Sequence, residues 1–321
     1  MRFIGLLAGL TLLAGCGGGP APAEDAPQFP TEEIRLLVPY AAGGPTDLTA
    51  RAYGEFLERD LGRPVVVENL PGGSGALATQ ELVQAEPDGH TLALITAGTT
   101  VLTPLVNDVG YTAADVTPVG VLSEVPSLLA VAADSPYPDI AAFVADARAR
   151  PAAITVGVPG ASTPQGVELQ RLRAEHGVEV TAVPFNGNAE MTTALLGRNV
   201  DAVLINASQD VTANIDAGEF RPLAVSTEQR LGWLPDTPTL VEAGFPGLTL
   251  SGSTFGLAGP AGLPEPVVTR LEDALRRGHA DPAVVAAVGE RYLGTQFRGA
   301  AEMRAVLDQT QAVYEPILGG S

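Results

Sequence analysis

The chain has 321 residues, 45% of them hydrophobic, enough for about two domains with real cores. Its 18 basic residues, all arginine, face 37 acidic ones for a net charge of −19 without any basic stripe, which excludes nucleic acid and other polyanions as partners. The lone cysteine, Cys16, and three scattered histidines, His90, His176 and His279, exclude a disulfide framework, a CxxC site and a histidine metal cluster, so no metal or cofactor is expected.

At the start, Arg2 precedes an apolar run over residues 3–13 and then Leu13-Ala14-Gly15-Cys16. A charged start, an apolar stretch and small residues before a cleavage point make an export signal. The final tetrad resembles a bacterial lipobox, which implies removal of residues 1–15 and lipidation of Cys16; an ordinary signal peptide or an apolar first helix is the alternative. Residues 16–30 are mainly Gly, Pro, Ala and acid, too poor in large apolar groups to offset their ordering entropy, and predict a flexible tether. No later run approaches the roughly 20 apolar residues that span a bilayer.

Beyond the tether, short apolar runs alternate with amphipathic stretches, the pattern of an α/β protein built from parallel βαβ units. Residues 34–40, 64–69 and 91–97 predict buried strands bounded by Pro, Gly or Asn. Between the first two, Leu48, Ala52, Phe56 and Leu57 repeat at helical spacing behind Thr46 and Asp47, either of which can cap the helix. A second set begins near Ser127, with strands at 128–132, 154–157, 180–184, 202–206 and 222–226 and helices at 140–150, 164–175 and 189–196. The tail from Pro264 predicts helices broken near Asp281 and Gly299. With no fixed-period repeat, two α/β lobes are expected.

The loop Gly73-Ser74-Gly75-Ala76-Leu77-Ala78 matches a dinucleotide fingerprint superficially, but the following strand ends without the acid that would hold a ribose. Ser74 also lacks the second glycine of a nucleophile elbow and any placed His/Asp pair. More informative are the small polar runs after the strands: residues 39–47, 97–100, 159–164 and 185–188. In open α/β sheets ligands sit outside the carboxyl ends of the strands, where helix N-termini offer N–H groups to anions. At −19 the long-range field repels an anion, so such a site must act at short range through N–H and hydroxyl donors. Asp47 serves there either as a helix cap or as a partner for a ligand amino group.

Several of these segments, in order, are similar to the tripartite tricarboxylate transporter substrate-binding proteins, also called the Bug family. The matching segments include Ile34-Arg35-Leu36-Leu37-Val38-Pro39-Tyr40, Gly43-Gly44-Pro45-Thr46-Asp47, Pro87-Asp88-Gly89-His90-Thr91-Leu92, Val183-Pro184-Phe185-Asn186-Gly187 and Phe255-Gly256-Leu257-Ala258-Gly259-Pro260. The resemblance runs from Ile34 to the C-terminus and implies a two-lobed periplasmic-binding-protein fold of type II, closing on a small carboxylate in the interlobe cleft. It implies a first lobe of residues 31–124 and 249–321 and a second of residues 125–248. Carried over residue by residue, Tyr40, Ala41, Gly43, Gly44, Thr46 and Asp47 meet ligand from the first lobe, joined by Gly98, Thr99 and Thr100. Ser162, Thr163, Phe185, Asn186, Asn188, Ala189 and Asn206 meet it from the second. One departure stands out: Gly166 occupies the place where the family often carries histidine, two positions after the proline of its Ser/Thr-Pro turn. The expected protein is a monomeric, extracytoplasmic solute-binding lipoprotein, not an enzyme, tethered by lipid through Cys16 and delivering its ligand to a membrane permease. The alternative is an exported α/β enzyme or a ligand sensor using the same cleft.

Overall fold

The computed structural model describes residues 29–318, so the signal segment, Cys16 and most of the tether lie outside the described residues. The first predicted strand forms as β1 (Ile34–Val38), a nearly continuous buried run. Gly44 ends the following loop, and α1 (Pro45–Leu61) starts on proline, whose fixed φ suits the first helical turn. The helix stops where Gly62 takes a left-handed φ of 72° and donates its N–H to Glu58 O. Strands β2 (Val65–Asn69) and β3 (Thr91–Thr96) then flank β1 in parallel, with α2 (Ala76–Val83) between them.

The next strand, β4 (Val116–Val125), and the much later β10 (Ser253–Pro260) were not expected from the sequence. Gly120 and Pro118 interrupt one apolar run, and Gly256, Gly259 and Pro260 the other. They pair with each other antiparallel, and β10 also runs antiparallel to β3, giving the order β2-β1-β3-β10-β4. The sheet is therefore mixed rather than parallel.

A second sheet has the same plan. Strands β5 (Ser127–Ala132), β6 (Thr155–Val158), β7 (Thr181–Pro184), β8 (Ala202–Asn206) and β9 (Phe220–Val225) lie in the order β7-β6-β8-β5-β9. Strand β6 is parallel to both neighbours, while β5 is antiparallel to β8 and β9. Helices α4 (Ile140–Ala149), α5 (Pro164–His176), α6 (Asn188–Leu196) and the unforeseen α7 (Gln209–Asp216) serve this lobe. Short α3 (Thr103–Val106) follows a π-type turn over Gly98–Leu102. The tail supplies α8 (Glu265–Gly278), α9 (Pro282–Val288), α10 (Glu290–Leu293) and α11 (Ala300–Leu318), so the chain breaks at Gly289 as well as near Asp281 and Gly299.

Each sheet carries apolar side chains on both faces. One face of the first packs Leu36, Val38, Tyr53 and Phe255 with α1, α8 and α9; the other packs Leu37, Ile95, Met303 and Leu307. Each such side chain contributes about 1.5–3 kcal/mol on burial, and Tyr53 adds a hydrogen bond of 3.1 Å to Leu122 O that pins α1 to β4. The chain crosses between lobes at Pro126, between β4 and β5, and returns beside it, since Ser253 pairs with Val125 and Ser127 Oγ donates to Ser251 O at 2.7 Å.

Candidate functional site

Three helices aim their N-termini at the seam between the lobes: α1 from the first, α5 and α6 from the second. The first N–H groups of a helix have no intrahelical partner and carry the positive end of its dipole. In α5 part of this is spent internally, because Thr163 Oγ1 accepts from Gly166 N at 3.3 Å while donating to Gly160 O at 2.7 Å. In α1 and α6 the capping residues are Gly44 and Gly187, which have no side chain to give. Gly187 sits at a φ of 137°, a backbone that side-chain-bearing residues rarely adopt, so the chain geometry itself keeps that cap bare.

The cleft between them is bordered by Tyr40, Ala41, Gly44, Pro45, Thr46 and Thr96, and by Ser253 and Phe255 of β10. Pro159, Pro164, Gln165, Gly187, Asn188 and Asn206 complete it from the other lobe. No charged side chain is among these residues. The lobes are closed over it: Ala41 N donates to Asn186 O at 2.9 Å, and Asn107 Nδ2 to Ser162 Oγ at 2.9 Å. About 10 Å3 remains available to the centre of a water molecule, room for roughly one water. A larger groove of about 590 Å3 lies on the crossing-strand side against α11, and none of the residues expected to meet ligand borders it.

Of the residues expected from the sequence, Tyr40, Ala41, Gly44, Thr46, Asn188 and Asn206 border the cleft. Asn188 is oriented by its Nδ2, which donates to Asn206 O at 2.9 Å and Ser208 Oγ at 3.1 Å. Gly43, Ser162, Asn186 and Ala189 lie on the rim where the lobes touch; a Cβ on Gly43 would stand 3.8 Å from Ala189 Cβ. Gly98 is wedged against α5, 3.0 Å separating its would-be Cβ from Pro164 Cδ. The remaining five have partners within their own lobe. Thr99 Oγ1 donates to Thr96 O and accepts from Thr96 N, both at 3.1 Å, and Thr100 lies fully buried beside it. Phe185 covers Gly157, and Thr163 caps α5.

Asp47 is the fifth. It lies inside α1 rather than ahead of it, because the helix begins at Pro45. Its carboxylate accepts from Gly43 N at 2.9 Å, Arg51 Nε at 3.0 Å and Asn69 Nδ2 at 3.0 Å. Burial pushes its pKa up, but the bonds from Arg51, Gly43 and Asn69 outweigh that and hold it below the ordinary carboxylate range. Every oxygen of Asp47 is thus engaged by groups of its own lobe. The absent histidine is explained as well: a Cβ on Gly166 would lie 2.3 Å from Ala161 O and 2.5 Å from Gly160 O, so this turn is folded tightly onto α5.

Sequence reasoning missed Thr96, Gln165, Ser253 and Phe255. Gln165 directly follows Pro164 at the start of a predicted helix, and that placement was the available signal. Ser253 and Phe255 belong to β10, whose glycines hid the strand.

The sequence pattern of the tripartite tricarboxylate transporter family receptor matches residues 49–314. A Cupriavidus necator protein described as the UPF0065 protein in the gbd 5' region is 34% identical over 277 residues, 84% of this chain and 81% of its own length. Protein BugT of Bordetella pertussis is 28% identical over 97% of this chain and 93% of its own. Among solved structures, MatC of Rhodopseudomonas palustris, with bound malate, superposes with a TM-score of 0.82 at 28% identity, covering 90% of this chain and all of that one. R. palustris Rpa4515, with adipate, gives 0.80 at 32% identity over 90% and 97% of the two chains. The periplasmic binding protein BugD gives 0.79 at 28% identity over 90% and 98%. The two-lobed architecture is thus that of the periplasmic binding proteins, and the chain belongs to the tripartite tricarboxylate transporter receptor family.

Proposed function

We propose that this protein captures a small organic carboxylate between its lobes, without transforming it, and delivers it to the membrane permease of a tripartite tricarboxylate-type transporter. The observation that carries this is the convergence of the α1, α5 and α6 N-termini on a cleft that no charged side chain borders. Oriented N–H groups in a closed, water-poor space bind carboxylate oxygens strongly and without a counter-charge. The same space has room for about one water, so a dicarboxylate reaches it only when the lobes part along the crossing strands. In this reading residues 31–124 and 249–321 act as one jaw and residues 125–248 as the other. Lipid on Cys16 and the segment over residues 16–30 hold the pair at the membrane surface, next to the permease.

Thermal unfolding with a panel of di- and tricarboxylates, amino acids and aromatic acids tests the binding. A ligand at a hundred times its dissociation constant adds about 2.7 kcal/mol to the unfolding free energy, a clear rise in melting temperature. No rise with any member removes the carboxylate reading. Chemical conversion of a member, seen by NMR of the recovered ligand, replaces it with an enzyme.

A further inference from the structure

Among the described residues, the cleft contains one buried polar side-chain atom left without a partner. Gln165, in the first turn of α5, is 1% exposed and borders the cleft. Its Nε2 donates to Asn206 Oδ1 at 2.8 Å and Ser127 Oγ at 3.0 Å. Its Oε1 makes no hydrogen bond among the described residues. The orientation of the amide follows from its neighbours. Ser127 has a single hydroxyl proton, within reach of Ser251 O at 2.7 Å and Asn206 Oδ1 at 3.1 Å; with the proton on either, its oxygen accepts from Gln165, and the NH2 end of the amide is the end that donates. Oε1 is therefore the end turned away from this network. Buried acceptors are nearly always satisfied, and one left bare in a binding cleft is matched by whatever enters.

We propose that Gln165 Oε1 accepts a hydrogen bond from a hydroxyl on the ligand, so that the cleft selects hydroxycarboxylates over their plain counterparts. This rests on the carboxylate reading above and narrows it. The helix N-termini supply donors to the carboxylates; Gln165 supplies an acceptor, which a carboxylate oxygen cannot use but a hydroxyl can. An ammonium would also donate, but it brings a full positive charge that needs a carboxylate. None borders the cleft, and the nearby Asp47 is already committed to Arg51, Asn69 and Gly43 N. Helix dipoles that favour anions also repel it. The hydroxyl is the substituent that fits.

Isothermal titration of the full-length protein with matched pairs decides the matter: malate against succinate, 2-hydroxyglutarate against glutarate, and 2-hydroxyadipate against adipate, with aspartate as the ammonium counterpart of malate. In every pair that binds, the hydroxy acid is expected to bind about tenfold more tightly or better, and aspartate more weakly than malate. In Gln165→Met the hydroxy preference is expected to collapse to within about twofold. These pairs are read on the parent protein alone should that variant not fold. Equal binding within the pairs, tighter binding of aspartate, or a preference that survives Gln165→Met overturns the assignment of Gln165 while leaving carboxylate capture intact. Failure of every acid to bind overturns both, which tells the two failures apart.

Discussion

Thr99 illustrates how a hydroxyl that looks available in the sequence is consumed by the fold. It is fully buried, and its Oγ1 closes a reciprocal pair of hydrogen bonds with the backbone of Thr96. Thr99→Val leaves the Thr96 N–H facing a methyl group, and a buried donor stripped of its partner costs about 1–3 kcal/mol. The expected outcome is a lower unfolding free energy in urea with carboxylate affinity unchanged within twofold; an affinity loss at unchanged stability would return Thr99 to the site. Thr46 and Asn188 behave differently, because they border the cleft itself. Which of several similar hydroxyls faces ligand is a matter of side-chain direction and neighbouring carbonyls. Loop composition does not encode either.

At the scale of the element, the decisive feature is what the helices lack. Good caps such as Ser, Thr, Asp and Asn satisfy the first N–H groups of a helix and so remove them from a ligand. Glycine at the caps of α1 and α6 leaves them open, at the cost of a few tenths of a kcal/mol in helix stability. Gly44 offers a direct test, since its backbone is extended and a Cβ there would meet Asn188 N at 3.7 Å, ordinary contact. Gly44→Asp should cap α1, raising or preserving the melting temperature without ligand, while its carboxylate competes for the same donors and repels an anion. Carboxylate affinity is expected to fall tenfold or more by calorimetry. Undiminished affinity would show that the α1 N-terminus does not bind the ligand. The strands hold a parallel lesson: β1, β2 and β3 were legible as continuous apolar runs, whereas β4 and β10 were not. Their glycines and prolines break the apolar runs, and the pairing that makes them strands is a long antiparallel one between segments far apart in the chain.

For the whole molecule, the contact between the lobes holds a carboxyl out of water. Glu168 on α5 is 2% exposed, and Tyr314 on α11 donates to its Oε1 at 3.2 Å across the two lobes. Val167 next to it is buried in the cluster containing Met303 and Leu307 of that same helix. Burial pushes the Glu168 pKa up to about 7, although Arg171 at 3.0 Å and Tyr314 pull it down; Glu175 adds to the rise. Because the folded value exceeds the ordinary 4.5, the stabilisation is fully present below pH 4.5 and is lost as pH rises through about 7. At 1.36 kcal/mol per pKa unit the loss is at most about 3 kcal/mol. Urea unfolding at pH 5 and pH 8 should show this decline, and Glu168→Gln should flatten it. An unchanged slope in the variant would assign the pH dependence to other groups.

The sequence alone determined the alternation that makes two α/β lobes, the small polar loops that follow the strands, and an acidity that forbids long-range attraction of anions. Local periodicity carries the first two, because each depends on residues close together in the chain, and composition carries the third. Tertiary structure alone decided the mixed strand order, since β10 joins the first sheet from more than a hundred residues beyond β4. It also decided which groups remain free: Thr163 and Asp47 are spent within their own lobes, Gly44 and Gly187 leave N–H groups open, and Gln165 holds an acceptor with no partner among the described residues. The physical reason is that a hydrogen-bonding group is available only after every neighbour has taken its share. In this cleft the neighbours arrive from two lobes and from residues as distant in the chain as Thr46, Gln165 and Ser253.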